Sequence, residues 1–171
     1  MTKRFIDLSN DEWVDLINEH LVPAKDIQTI IIVGHLLLEY VLNSFIEASN
    51  ESMAEAYKGF SFNQKMKIYT IFCSPDHFKE LKLFNQVRND IAHTLETNDN
   101  LMREFVHTTM KSLDKKFPSN ANTIENRLKI VITYLLQEIR DQINTHQTAI
   151  EIIHRGFMDK VNDDLSKDKK D

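Results

Sequence analysis

The stretch from Phe84 to His93, FNQVRNDIAH, holds polar side chains that helices seldom concentrate. Histidine suits proton transfer near neutral pH because its unperturbed pKa is about 6.5. Arginine suits phosphate because its planar guanidinium gives two parallel charge-assisted hydrogen bonds. Arg88 and His93 lie five residues apart here, and Asn89 directly follows the arginine. These residue types fit acid–base chemistry on a phosphate, provided that the fold brings them together.

A helical wheel separates two faces of this segment, because successive residues of a helix are about 100° apart. One face carries Asn85, Asn89 and His93, each four residues after the last. Arg88 lies on the shoulder of the opposite face, about 140° from His93, so one helix does not direct both side chains at one atom. A second copy of the helix can supply what one copy lacks. The apolar face, which we expect in the core, consists of Leu81, Phe84, Val87, Ile91 and Leu95.

The residues alone leave two interpretations of the polar face open. In the first, the face is solvated, and Arg88 extends its charge to water from the edge of the core. In the second, the face is a site. Asn is a poor helix former, so its presence twice on one line, at Asn85 and Asn89, favours the second interpretation.

The composition favours a helical domain. The chain has 171 residues, enough for one domain with a core, and only 3 glycines and 3 prolines, so we expect long helices with short connections. The formal net charge of −5 argues against a protein that coats nucleic acid by charge alone. The single cysteine, Cys73, excludes a disulfide framework and a cysteine-based zinc site, and we expect it to be a small buried side chain.

The sequence predicts a cytoplasmic protein. The start, MTKRFIDLSN, has no apolar region of the kind that a secretory signal needs. The most apolar run, IIIVGHLLLEYVLNSF, is interrupted by His35, Glu39 and Asn43. We therefore expect this run not to span a membrane.

Apolar periodicity and capping residues predict an all-α helical bundle. We expect one domain over residues 1–161 and a disordered charged tail over 162–171. Ser9 and Glu12 are typical of a capping box before the first helix. The predicted helices cover 11–21, 24–49, 61–72, 75–96, 101–116 and 123–146, with a final segment to about 161.

Two of these predicted helices matter most for function. The second is apolar over most of its circumference, which is typical of a helix at the centre of a bundle or at a subunit interface. The fourth carries the polar stretch, and we expect it to begin at Ser74-Pro75, a good N-cap followed by proline at the first helical position.

The segment VRNDIAH resembles the Arg-x4-His signature of the HEPN superfamily. The match consists of Arg88, the polar Asn89 directly after it, and His93. The context also fits, with a long apolar helix and then a short helix, FNQKMKIY, before the motif, so that the resemblance covers roughly residues 24–147. Members of this superfamily are small all-α bundles. Many are metal-independent ribonucleases that act as dimers, with two motifs facing each other across a cleft, and many serve as toxins or in phage defence.

The resemblance implies a role for each residue of the motif. The 2′-hydroxyl of RNA attacks the adjacent phosphate, one His93 of the dimer acts as base and the other as acid, and Arg88 binds the phosphate. Asn89 either holds the phosphate or orients His93. The reaction needs no cofactor and no metal, and the expected partners are RNA, a second copy of the chain in a symmetric homodimer, and a cognate antitoxin protein.

Further residues around the motif have two interpretations each. Asn85 and Lys82 are expected to bind substrate, and Lys82 belongs to a group of lysines that either steer RNA or form solvated faces, with Lys65, Lys67 and Lys79. Glu39, one turn after His35, is either an acid that lines the cleft or part of the polar stripe of its helix.

Two other classes of function stay open. Mannitol-repressor-like regulators carry a similar helix without established nuclease activity, so the chain is alternatively a catalytically silent regulatory or binding protein. A third interpretation is that the chain is a purely structural helical dimer. Some members in toxin pairs have a tyrosine two residues after the histidine; Leu95 stands there, so we do not expect silencing by modification of such a tyrosine.

Overall fold

The computed structural model of the chain describes residues 7–49, 59–73, 76–94 and 98–167, with side chains up to residue 152 except that of Ser49. Every regular element in this part of the chain is an α-helix, so the predicted all-α class is confirmed. The helices are α1 Asn10–His20, α2 Ile27–Ser49, α3 Phe62–Phe72, α4 Phe78–Thr94, α5 Asp99–Ser112 and α6 Ile124–Lys167.

Capping boxes begin two of the helices. The predicted one is confirmed at α1, where the Glu12 amide donates to Ser9 Oγ at 3.2 Å and the Ser9 amide donates to Glu12 Oε2 at 2.9 Å. A second box begins α3, where the Ser61 amide donates to Gln64 Oε1 at 2.8 Å and the Gln64 amide donates to Ser61 Oγ at 3.4 Å. Each box supplies partners for amides that a helix start would otherwise leave unpaired.

Two helices begin three residues later than the sequence predicted. Helix α2 begins at Ile27 because Asp26 caps it, accepting a hydrogen bond from the Thr29 amide at 2.8 Å. Helix α4 begins at Phe78, and the Ser74-Pro75 pair that we expected at its start lies outside the described residues.

Helix α6 is longer than predicted. It runs for 44 residues, about 66 Å at 1.5 Å per residue, where we expected a helix to His146, a final segment and a tail from 162. No proline interrupts this region, and the one glycine, Gly156, costs only about 1 kcal/mol in a helix interior. Residues 168–171 of the predicted tail lie outside the described part.

Helix α2 is the central helix, and it contacts α3, α4 and α6. The closest approach is at Gly34, where an added Cβ would lie 2.9 Å from Ile132 Cδ1 and 3.3 Å from Phe84 Cζ. Phe84 belongs to the polar stretch of α4, and Ile132 belongs to α6. The absence of a side chain at Gly34 therefore lets both helices pack against the same point of α2.

The first helix attaches to the last one. Trp13 Nε1 donates to Gln137 Oε1 at 2.9 Å. Arg140 Nη1 donates to Asn10 Oδ1 at 2.9 Å, and its Nη2 donates to the Leu8 carbonyl at 3.1 Å. These contacts close the bundle around α2.

By length and composition alone, α2 could cross a membrane over Ile27–Ala48, where its mean hydropathy reaches 1.7. We expected the polar residues that interrupt this run, His35, Glu39 and Asn43, to prevent this. Within the bundle, 61% of the most apolar window is buried, and the central helix of a helical bundle has the same composition.

Candidate functional site

A polar cavity of about 350 Å³ lies between α2, the start of α3 and α4. It brings together four residues that the sequence singled out, with Asn85, Arg88 and Asn89 from α4 and Glu39 from α2. The volume falls within the range of roughly 300–1,000 Å³ that is usual for small-ligand sites. The other lining residues are His35, Ser61, Phe62 and Asn63.

The buried face of α4 positions Arg88. Arg88 is half-buried at the edge of this face, and its Nη1 donates to Asn89 Oδ1 at 3.1 Å. Within one copy of the chain, Asn89 therefore contacts the guanidinium. Leu95, expected on the same face, lies outside the described residues. The rest of the face is buried as predicted, with at most 3% exposure: Leu81, Phe84, Val87 and Ile91.

Two of the predicted site residues lie apart from the cavity. His93 is exposed in the last turn of α4, and Lys82 is exposed earlier on the same helix. Neither side chain lines the cavity that contains Arg88. One copy of the chain thus joins Arg88 to the amides of Asn85 and Asn89 but does not join it to His93, in agreement with their separation on the helical wheel.

A buried ion pair borders the cavity, and sequence reasoning missed it. Lys65 Nζ donates to Glu39 Oε1 at 2.6 Å, although Lys65 is only 4% exposed. We expected Lys65 to be a steering or solvated lysine, and this was wrong because its long stem packs into the contact between α3 and α2. Since the ammonium offsets the Glu39 carboxylate, Arg88 determines the charge that the cavity offers to a ligand.

His35 is the second residue at the cavity that we did not predict as part of the site. Burial and the positive charge of Arg88 lower the pKa of the buried His35 to about 4, although the Glu39 carboxylate opposes the shift. The ring lies 4.5 Å from that of Phe62, centroid to centroid. Its Nδ1 is 3.9 Å from Glu39 Oε2, too far for a hydrogen bond.

The Nε2 atom of His35 is buried and has no hydrogen-bond partner among the described residues. Buried polar atoms without a partner are uncommon in folded proteins. His35 also lines the cavity that holds Arg88. A neutral imidazole at this wall can donate or accept one hydrogen bond, depending on its tautomer.

A second, smaller cavity of about 240 Å³ lies against Arg88 and His35 and is lined mainly by apolar side chains of α2 and α4. Ile32 is 50% exposed and Leu36 is 60% exposed. With the exposed Ala92 they form what we call the α2–α4 apolar surface. Contiguous exposed apolar side chains of this kind are typical of a surface that binds another protein.

Other chemically active groups do not add to the site. Cys73, expected to be a small buried side chain, is half-buried and packs against the core, and burial raises the pKa of its thiol to about 11. The thiolate, which is the nucleophile, is therefore scarce at neutral pH. Across the described residues, no three His, Cys, Asp or Glu side chains are arranged so that they could hold a metal ion.

Comparison of the chain with protein-family models, with curated proteins and with solved structures found no match in any of the three.

Proposed function

We propose that the chain is a metal-independent endoribonuclease of the HEPN type, with an active site formed by two copies of the chain. The position of Arg88 carries this proposal. Its half-buried guanidinium lies at the wall of a polar cavity, with the amides of Asn85 and Asn89 on the same helix. A planar fork of donors in a partly desolvated cavity is suited to one phosphate group.

The electrostatics of the cavity support an anionic ligand. Among the described residues, Glu39 is the one carboxylate that lines it, and Lys65 offsets that charge at 2.6 Å. His35 is neutral near pH 7 because its pKa is about 4, so it neither attracts nor repels a phosphate by charge. Donors held in position in advance, as Asn89 holds Arg88, stabilise developing negative charge without reorganisation.

The proposed reaction is a transesterification within the RNA. The 2′-oxygen loses its proton to a base and attacks the adjacent phosphorus, while the bond from phosphorus to the 5′-oxygen breaks and that oxygen takes a proton from an acid. The products are a 2′,3′-cyclic phosphate and a free 5′-hydroxyl. We assign the base and acid to the His93 side chains of two copies, and the phosphate to Arg88.

The need for a second copy follows from the exposure of His93. Within one chain His93 does not line the Arg88 cavity. The α2–α4 apolar surface, Ile32, Leu36 and Ala92, adjoins Arg88 in the small cavity, and Ala92 directly precedes His93. Isologous pairing of two copies through this surface would bury its apolar side chains and bring both motifs to one cleft.

The proposal includes a biological setting. A dimeric ribonuclease of this type acts in the cytoplasm as a toxin or as a phage-defence effector, with RNA as substrate and a cognate antitoxin protein as partner. The catalytic roles fall on Arg88, His93 and Asn89, and those of substrate binding on Asn85 and Lys82. Glu39 lines the cleft as an acid paired to Lys65.

Cleavage of a labelled single-stranded RNA tests the proposal. We expect wild type to cut it and His93→Ala to lose about 10²–10⁴-fold in rate, the usual effect of removing a general acid or base. His20→Ala is the matched control, because His20 is also exposed in the last turn of a helix. Equal rates for wild type and His93→Ala would overturn the assignment.

The paired state needs its own test. Leu36→Asp should convert a dimer into a monomer in light scattering and abolish cleavage, because it places a charge in the α2–α4 apolar surface. Val14→Asp serves as the control, since Val14 is 53% exposed on α1. A wild-type protein that is monomeric at micromolar concentration would contradict the shared site.

A catalytically silent regulatory or binding protein is the second candidate. The exposure of His93 outside the cavity favours it, because in one copy alone the histidine that lines the cavity with Arg88 is the buried His35 and not His93. On this alternative, wild type binds RNA or a protein partner through Arg88 and cuts nothing. Binding that is lost in Arg88→Ala, together with no cleavage by wild type, would favour it over the ribonuclease.

A further inference from the structure

A cavity of about 430 Å³ lies between α5 and the start of α6, and it shares no lining residue with the Arg88 cavity. It is bordered by basic side chains, although the whole chain has a formal net charge of −5. No carboxylate lines it among the described residues. Its basic residues, which we call the α5–α6 basic cluster, are Arg103, His107, Lys111, Lys115 and Arg127.

Three of these side chains form a row along α5. Arg103, His107 and Lys111 are each four residues apart, which separates them by about 6 Å along the helix axis. All three are exposed. Residues four apart lie on one face of a helix, so the row presents several donors in one direction.

The floor of the cavity is apolar. Val106 and Met110 are buried below the basic row, and Phe117 and Ile124 are half-buried beside it. The guanidinium of Arg127 lies 5.3 Å from the centre of the Phe117 ring. Arg127 Nε donates to the Ala121 carbonyl at 3.0 Å, which holds the guanidinium in position. An apolar floor, with the Arg127 guanidinium over its one aromatic ring, therefore lies beside the other cations of the cluster.

We propose that this cavity binds a nucleotide, with its phosphate on the α5–α6 basic cluster and its base on the apolar floor. Four permanently charged side chains surround the cavity, Arg103, Lys111, Lys115 and Arg127. A ligand with a single carboxylate would need fewer, so the set suits a phosphate with more than one negative charge. A planar base matches a floor with an aromatic ring and a guanidinium, because bases stack on both. The ligand is a free nucleotide or one nucleotide unit of a single strand.

The site stands independently of the proposed ribonuclease, because it uses other helices and other residues. Binding is measured on the full chain by fluorescence anisotropy, with two probes: ADP labelled with a methylanthraniloyl group, and a fluorescein-labelled oligouridylate of eight nucleotides. Arg103→Gln/Lys111→Gln is the test variant. Lys25→Glu is the control, since it makes the same change of two charges at an exposed lysine outside both cavities.

We expect at least one probe to bind wild type, and the test variant to bind at least about tenfold more weakly, because two charge-assisted contacts are lost. The control variant should bind as wild type does. Weakened binding of labelled ADP identifies a free nucleotide as ligand, and weakened binding of the oligouridylate alone identifies a unit of a strand. Circular dichroism checks that each variant is folded.

Three results would overturn the proposal. The first is that neither probe binds wild type at millimolar concentration. The second is that the test variant binds as tightly as wild type. The third is that Arg88→Ala abolishes binding while Arg103→Gln/Lys111→Gln leaves it unchanged, since the ligand would then occupy the other cavity.

Discussion

Lys65 and Glu39 form an ion pair of 2.6 Å that joins α3 to α2 at the edge of the Arg88 cavity. Lys65 is almost fully buried, whereas the Glu39 side chain is 29% exposed and lines the cavity. The pair therefore has two roles, a structural one at the buried Lys65 and an electrostatic one at Glu39 in the cavity. It fixes the start of α3 against the central helix, and it removes an uncompensated carboxylate from a cavity suited to anions.

Lys65→Met should destabilise the fold, because it leaves Glu39 without its partner. We expect a loss of about 2 kcal/mol in the free energy of unfolding, less than the roughly 3–5 kcal/mol typical of a fully buried pair because Glu39 is partly exposed. Urea unfolding measures it. Adding Glu39→Gln should recover most of the loss, and Lys67→Met, at an exposed lysine, should stay within about 0.5 kcal/mol of wild type. A double variant as unstable as Lys65→Met would contradict the coupling.

His35 should make stability depend on pH. Its pKa is about 4 in the folded chain against 6.5 for an ordinary histidine. Between these pH values the unfolded chain binds a proton that the folded chain does not. The free energy of unfolding therefore falls as the pH falls from 6.5 to about 4, and the contribution of His35 to it is fully present above pH 6.5. His35→Phe should flatten this part of the urea-midpoint profile, while His20→Phe should not. Parallel profiles for wild type and His35→Phe would rule out the shift.

Gly34→Ala should be destabilising despite the better helix propensity of alanine. The new methyl group would meet Ile132 Cδ1 at 2.9 Å, and overpacking typically costs about 1–3 kcal/mol against a propensity gain of about 1 kcal/mol. Ile132→Ala removes both Ile132 atoms that the methyl group would meet, Cδ1 at 2.9 Å and Cγ2 at 3.0 Å. In thermal unfolding, the double variant should therefore be more stable than the two single effects together predict. Simple additivity would show that the contact between residue 34 and residue 132 does not cause the loss of stability in Gly34→Ala.

Mixing two inactive variants tests the shared cleft. Arg88→Ala and His93→Ala should each be inactive alone, but a heterodimer of the two contains one intact Arg88 opposite one intact His93. We expect partial recovery of RNA cleavage on mixing. His93→Ala should stay within about 0.5 kcal/mol of wild type in stability, as an exposed residue does, which separates loss of activity from loss of fold. No recovery in a confirmed heterodimer would contradict a cleft in which one Arg88 acts with one His93 of the other copy.

Cleavage should survive a metal chelator. The proposed reaction uses Arg88, His93 and the 2′-hydroxyl of the substrate, so EDTA should leave the rate unchanged. The measurement compares cleavage rates before and after dialysis against EDTA, followed by addition of magnesium. Activity that is abolished by the chelator and restored by magnesium would show that the mechanism is wrong.

The core face of α4 could be predicted from sequence because its apolar residues recur at helical spacing, and Leu81 and Ile91 are buried accordingly. The clustering of Arg88 with Asn85 and Asn89 follows from the same spacing. The separation of His93 from Arg88 within one chain follows from it as well, because five residues along a helix turn the side chain by about 140°. Nothing in the local sequence of Lys65 distinguishes it from a surface lysine, since its partner is 26 residues away.

The bounds of helices were less predictable than their existence. His146 and the polar residues around it look like an end of amphipathic periodicity, yet α6 continues, because a helix ends only where its backbone is interrupted or capped. In the sequence, Gly34 is one residue of an apolar run, and nothing beside it indicates a close contact between helices. Its importance is set by Ile132 and Phe84, which meet it from two other helices.

The attachment of α1 to α6 has a consequence for the order of synthesis. Trp13 and Gln137 are separated by 124 residues, and Arg140 reaches back 130 residues to Asn10. Since the ribosome makes a chain from its N-terminus, α1 lacks these two partners until α6 has been made. The residues of the Arg88 cavity are all made before then, but α2, which carries one wall, still lacks the helix that packs against Gly34. A nascent chain that stops short of α6 would thus carry Arg88, Asn89 and His93 while the helix behind one wall of the cavity is still missing.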